Sequence, residues 1–189
     1  MIGAGYLAKR VAQRPDWLHV PAVKDIYSVS SCISDDFMDF IKFWRHNGYW
    51  LFDSPQIIQE LSRENNISQE DLTFFYYEVY EQEFDETLKQ WLSFEPETFP
   101  TNVVPPIQKE FQGYDVVTFS AGTNSECSPL SCNHLASEIK TNSHCLLDTF
   151  QEGKESLESG KFDNSEAGPF RIFAVYTVEF DNKFGYSPI

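Results

Sequence analysis

Asn47-Gly-Tyr-Trp-Leu-Phe-Asp-Ser-Pro-Gln56 and Asn142-Ser-His-Cys-Leu-Leu-Asp-Thr-Phe-Gln151 share one pattern. Each runs from an asparagine through a short apolar stretch to an aspartate, and then to a hydroxyl residue at the point where a helix can start. Ser54 is followed by Pro55, and proline suits the first helical position because its missing N–H would have no intrahelical partner there. Thr149 is followed three residues later by Glu152, the spacing of a reciprocal capping box. Asp53 and Asp148 stand at matched places before the two caps, which points to a structural duty at the turn.

Two further echoes keep the same order. Asp25-Ile-Tyr-Ser-Val-Ser30 resembles Asp115-Val-Val-Thr-Phe-Ser120, and Val79-Tyr-Glu-Gln-Glu-Phe-Asp85 resembles Val175-Tyr-Thr-Val-Glu-Phe-Asp181. Strand-to-helix boundaries of unrelated segments also look alike, but three ordered matches favour a repeat. The expected fold is α/β (or α+β). It has two similar strand-helix-strand-helix-strand units, a pseudo-twofold duplication around mixed sheets flanked by helices. The boundaries read as an N-terminal segment over 1–22, a first unit over 23–92, a proline-rich connector over 93–113 and a second unit over 114–189, within one globular body.

Within this frame Asp25–Ser30 reads as a strand, as do Tyr49–Phe52, Leu72–Phe84 and Arg171–Phe180. Ser34–His46 reads as a helix with Phe37, Phe40, Ile41 and Trp44 on one face. A second helix follows Ser54, buries Ile57, Ile58 and Leu61, and ends near Asn65-Asn66. The helix after Thr149 stops at Gly160. Ala4–Gln13 reads as a short helix ended by Pro15. Pro96, Pro100, Pro105 and Pro106 make the connector extended and semi-rigid. Ala121–Asn133 and Asp163–Pro169 read as surface loops.

Composition limits the function classes. The 17 Phe, 9 Tyr and 4 Trp supply a ring-filled core. No window approaches the roughly 20 apolar residues of a membrane helix. Lys9 and Arg10 follow the apolar start instead of preceding it, the wrong order for a signal peptide, so a cytoplasmic protein is expected. In that setting Cys32, Cys127, Cys132 and Cys145 are expected as free thiols. The formal net charge is −15. Residues 1–24 carry +3, the rest −18, and the stretch from Glu60 to Glu97 alone −9. Such a field repels nucleic acid and anionic lipid and speeds encounter with basic partners. Solubility alone would also account for it.

Three groups of residues qualify as sites. Cys127, Cys132 and His134, with His144 and Cys145 nearby, offer zinc-type ligands at irregular spacing; an ordinary loop plus one buried thiol is the bland reading. Cys32, between a strand and a helix start, is a candidate thiolate. His46 lies ~18 Å away along that helix at 1.5 Å per residue and cannot serve it, so His134 or His144 would have to. Glu81, Glu83 and Asp85 alternate onto one strand face, either as a solvated edge that resists aggregation or as a docking surface. No nucleophile elbow, Walker loop, zinc-protease motif or dinucleotide fingerprint is present.

The favoured expectation is an acidic protein-binding module, of the inhibitor or immunity-protein kind, that neutralises a basic partner such as a nuclease-like toxin. It would use Tyr76, Glu78, Tyr80, Glu81 and Glu83, and need no cofactor. The alternative is a metal-dependent or thiol enzyme centred on residues 127–145, with zinc as its ion.

Overall fold

The computed structural model describes residues 1–30, 47–94, 100–118 and 127–179. It is a mixed α/β fold built on a six-stranded sheet in which every described strand pair is antiparallel. The strands are β1 (Ile2–Arg10), β4 (Leu72–Val79), β5 (Gln82–Asp85), β6 (Gln90–Ser93), β7 (Glu110–Thr118) and β8 (Phe170–Val178). β8 is the central strand. β4 and β7 pair with it on opposite edges, β1 lies outside β4, and the β5–β6 hairpin joins β8 through Phe84 and Phe170. A two-residue ribbon, β2 (Ala12–Gln13) with β3 (Asp25–Ile26), stands apart from this sheet. The described α-helices are α1 (Pro55–Glu64), the one-turn α2 (Pro129–Cys132) and α3 (Phe150–Glu158), with a 3-10 turn at Leu135–Ser137.

The two central strands are aromatic and β-branched, and they bury both faces. Phe75, Tyr76, Tyr77 and Val79 of β4 and Phe173 and Val175 of β8 are all inaccessible to solvent. α1 packs on β1, and α3 packs on β7 and β8. Both helices follow the sequence. α1 buries Ile58 and Leu61 with Ile57 half-buried, carries Pro55 at its start and ends at Asn65. α3 has the full capping box, with the Thr149 hydroxyl accepting from the Glu152 N–H and the Glu152 carboxylate accepting from the Thr149 N–H. Such a cap contributes about 1 kcal/mol. Gly160, at φ +78°, lies two residues past the helix.

Several expectations are corrected. Ala4–Gln13 is strand, not helix: Ala, Leu, Lys and Arg favour helix locally, but eight registered pairs with β4 decide the conformation. Asp25–Ser30 contributes only the two residues of β3, so it does not occupy the place that Asp115 occupies in β7. Tyr49–Phe52 is a tight turn, with Trp50 at φ +58° and a single bridge from Phe52 to Tyr6. Leu72–Phe84 breaks at Tyr80 and Glu81 into β4 and β5, although the Tyr80 N–H still donates to the Ile172 carbonyl at 2.9 Å. β7 begins at Glu110, inside the stretch read as connector, and Pro129–Cys132 of the expected loop is helical. The Ser34–His46 helix and Cys32 lie outside the described residues.

One local geometry occurs twice. Gly5 in β1 and Gly113 in β7 sit at φ +142° and +144°, each just after a one-residue bulge, at Ala4 and Gln112. Asn47 Nδ2 donates to the Ala4 carbonyl at 2.7 Å, and Asn142 Nδ2 donates to the Gln112 carbonyl at 2.8 Å. The Asn47 Oδ1 accepts from the N–H groups of Tyr49 and Leu51; the Asn142 Oδ1 accepts from those of His144 and Leu146. Trp50 and Cys145 share a left-handed φ of about 60°. Phe52 bridges Tyr6, and Leu147 bridges Tyr114. The asparagine amide thus templates a turn and pins that turn to a strand bulge.

Candidate functional site

The residues expected on the acidic face are only partly surface groups. Tyr76 is fully buried, so its ring belongs to the core and is not presented to a partner. Glu78 is half-buried. It forms an ion pair with Lys109 and accepts from the Tyr176 hydroxyl at 2.9 Å. The Lys109 ammonium also lies over the Tyr176 and Tyr76 rings, 4.0 and 4.9 Å from their centroids. Burial, reinforced by Glu78, raises the pKa of both phenols, so they stay neutral.

Glu83 faces inward as well. It accepts from Arg171 Nη2 at 3.2 Å, and that guanidinium, itself almost wholly buried, stacks on the Phe94 ring. Asp85 caps the hairpin turn by accepting from the N–H groups of Thr87 and Leu88. Tyr80 is half-buried between Trp91 and Phe150. Of the five expected residues only Glu81 is exposed. The sequence pattern gives the alternation but not the inward cations, since Lys109 and Arg171 arrive from 31 and 88 residues away.

The exposed carboxylates lie elsewhere. Glu60 and Glu64 are on the outer face of α1, and Glu70 and Asp71 are in the turn into β4; all four are exposed. None of them, nor Glu81, forms an ion pair among the described residues. Arg63 lies in the same stretch, and Arg10 reaches the Ser68 carbonyl. Alongside, Tyr6, Pro55, Val104, Ile107 and Val178 line an open groove of about 690 Å³. The Tyr6 hydroxyl donates to the Val104 carbonyl at 2.6 Å, and burial pushes its pKa up to about 12.

The Cys/His group does not converge on one point. His134, at φ +64°, packs on Trp17 with ring centroids 4.6 Å apart. Cys127 Sγ lies 3.8 Å from Asn133 Oδ1, and Cys132 Sγ lies 3.7 Å from the Ser30 hydroxyl. His144 pairs through Nδ1 with Asp25 Oδ1 at 2.6 Å and stacks on Tyr27. Cys145 is buried, which pushes its thiol up to about 12. Among the described residues no group of three or more His, Cys, Asp or Glu side chains is placed to hold a metal ion. Cys145 is the left-handed residue of the turn, at φ +61°.

A buried carboxylate lies at the meeting point of three segments. Asp115 of β7 has no solvent exposure, and its Oδ2 accepts from the Val29 N–H at 2.8 Å and from the Ser128 hydroxyl at 2.6 Å. Its Oδ1 has no hydrogen-bond partner. The nearby Lys9 is buried too, and its ammonium donates to the Ser28 carbonyl. Burial pushes Asp115 up to about 6, against the opposing pull of Ser128, the Val29 N–H, Lys9 and the Val116 N–H. The sequence carried a signal for this residue: Asp115 is a lone acid before Val-Val-Thr-Phe, in a run that reads as a core strand.

Among the described residues no helix is long and apolar enough to cross a membrane. No protein-family model matches the chain, and no curated protein or solved structure matches it at a significant level.

Proposed function

We propose that this chain is an acidic protein-binding module that docks a basic protein, and that inhibition of a nuclease-like toxin is the concrete form of that task. The observation that carries the reading is the exposed, unpaired set Glu60, Glu64, Glu70, Asp71 and Glu81. Lys9 and Arg171 are buried, and Lys109 and Lys89 are engaged by Glu78 and Asp163, so these cations contribute little positive potential outside. Carboxylates of this kind steer encounter and set specificity more than they add affinity. The reading places the face on α1 and the turn into β4, with Glu81 kept from the five residues expected at first. It also places the chain in the cytoplasm, where a buried thiol such as that of Cys145 is at home.

The same reading includes an internal duplication. The β1–turn–α1–β4 and β7–turn–α3–β8 sets carry the same bulge, asparagine bracket and helix cap position. Gly5 pairs with Tyr77 as Gly113 pairs with Val175, and Tyr77 and Val175 pair with each other. Tyr76 opposite Tyr176 and Glu78 opposite Ala174 keep that relation on either side. These registers support a pseudo-twofold axis between β4 and β8.

Reversal of Glu60, Glu64 and Glu70 to lysine is expected to slow association with the cognate partner about tenfold or more and to flatten its salt dependence, with dissociation little changed. Stopped-flow association at several ionic strengths reads both. An unaltered association rate and salt slope would remove this face from the proposal.

A further inference from the structure

We propose that the groove beside Tyr6 and Pro55 receives an aromatic side chain of the basic partner, so that the acidic face steers the encounter and the groove anchors it. This deepens the binding reading above and rests on it for the partner's charge, as it rests on the proposed duplication for the match between the two halves. The geometry points to a ring because the corresponding corner of the second half is filled with rings. Tyr6 and Tyr114 each follow a bulge glycine and bridge the residue two before a helix cap, Phe52 and Leu147. Pro55 and Phe150 are the first residues of α1 and α3. Val178 and Tyr80 each lie three residues beyond the Tyr77–Val175 pair.

In the second corner Phe150 stands against Tyr114 and Tyr80, with ring centroids 6.1 and 4.9 Å away. Trp91 of the β5–β6 hairpin closes on Tyr80 at 5.5 Å, and its indole N–H donates to Glu158 of α3 at 2.8 Å. In the first corner Pro55 and Val178 take the places of Phe150 and Tyr80. Among the described residues Tyr6 is the one aromatic side chain lining that groove of about 690 Å³. The segment 104–108, which forms the other wall, does not fill it: Val104 is 72% exposed and Ile107 is wholly exposed.

The missing volume is therefore that of rings, and its rim is apolar. An exposed apolar rim of this kind marks an interaction site, and a ring buries a large area there while ordering few torsions. Charge on the rim selects what carries the ring. Glu179 lines the groove and is exposed, as is Glu110 two residues beyond Gln108, while Lys109 between them is engaged by Glu78. Glu60 and Glu64 extend the negative field along α1. A ring flanked by lysine or arginine fits both features.

Titration of the full chain with acetyl-Lys-Trp-Lys-amide and acetyl-Lys-Ala-Lys-amide, followed by amide NMR, tests this. The tryptophan peptide should bind about tenfold or more tighter than the alanine peptide, shifting the amides of Tyr6, Val104, Ile107 and Val178. Val178→Tyr, which puts a ring into the groove from the chain itself, and Val104→Asp, at an exposed position, should each remove that preference. Lysine reversal of Glu60, Glu64 and Glu70 should weaken both peptides and leave the preference intact, so the groove and the acidic face fail separately. Equal binding of the two peptides by the wild type, or a preference that survives both groove variants, would overturn the groove while leaving the acidic face standing. A preference that emerges only after removal of residues 180–189 would assign the groove to this chain's own C-terminal segment. Self-association of the wild type that Val104→Asp abolishes would assign it to a second copy. Either result overturns the partner anchor.

Discussion

Gly113→Ala is expected to cost about 2–6 kcal/mol, enough to leave the chain marginal or, at the upper end, to unfold it, since domains of this size hold only about 5–15 kcal/mol. At φ +144° an L side chain meets its own backbone, a strain of about 1–3 kcal/mol. The added Cβ would also stand 2.7 Å from Leu146 Cβ and 2.8 Å from the Leu147 carbonyl oxygen, neither of which can swing away as a flexible side chain can. Overpacking of this kind adds about 1–3 kcal/mol. Gly5→Ala meets the same obstacle, 2.7 Å from Leu51 Cβ and 2.8 Å from the Phe52 carbonyl oxygen at φ +142°. Urea denaturation of each variant measures the loss. A cost under about 1 kcal/mol at either position would show that the strand bulge and its turn are not packed as described.

Asn47→Ala is expected to cost about 2–4 kcal/mol. The side chain is buried, and four of its hydrogen bonds go to the Ala4 carbonyl, Asp53 Oδ1 and the N–H groups of Tyr49 and Leu51. Each bond contributes about 1 kcal/mol, and each buried partner left unpaired adds its own desolvation. Asn47→Asp separates the two sides of the bracket. It keeps the acceptor, loses the donors and faces the Ala4 carbonyl and Asp53 with a negative charge. It should be at least as destabilising as alanine at pH 7 and should recover part of the loss in acid. Asn142→Ala should cost less, because Asn142 is only part-buried. Equal stability of Asn47→Asp and wild type would contradict the bracket.

These two predictions rest on the part of the fold that was most legible in the sequence. The paired stretches at Asn47 and Asn142 locate both turns and both helices, because caps, proline placement and a 3.6-residue stripe are local signals that packing reinforces. The reading of Tyr49–Phe52 as strand failed because the asparagine side chain takes up the Tyr49 and Leu51 N–H groups, and only Phe52 reaches a neighbouring strand, at Tyr6. β1 was illegible for a different reason. Gly3, Ala4, Leu7, Ala8, Lys9 and Arg10 have no strand preference, and only the pairing with β4, some 70 residues later, makes them strand. The Asp25 echo of Asp115 misled in turn, since an aspartate before β-branched residues reads alike at a ribbon end and in a central sheet.

The candidate site was legible in charge but not in placement. The excess of acid was visible from Glu60 to Glu97, yet sequence spacing could not show that Glu78 and Glu83 are turned to Lys109 and Arg171, or that Tyr76 is core. Partners that come from distant strands leave no local trace. Exposure on α1 did leave one, because Glu60 and Glu64 stand four apart and share a helix face opposite Ile58 and Leu61.

The most direct test of the binding role is capture from the native cell lysate with the wild-type chain and with the Glu60, Glu64 and Glu70 lysine-reversal chain, each at low and high salt, followed by carboxyl-directed cross-linking of what is retained. The account predicts a basic protein held by the wild type at low salt, released at high salt, cross-linked within Glu60–Asp71 or at Glu81, and lost from the reversed chain. A partner held equally by both chains, or cross-linked only outside these residues, would contradict it.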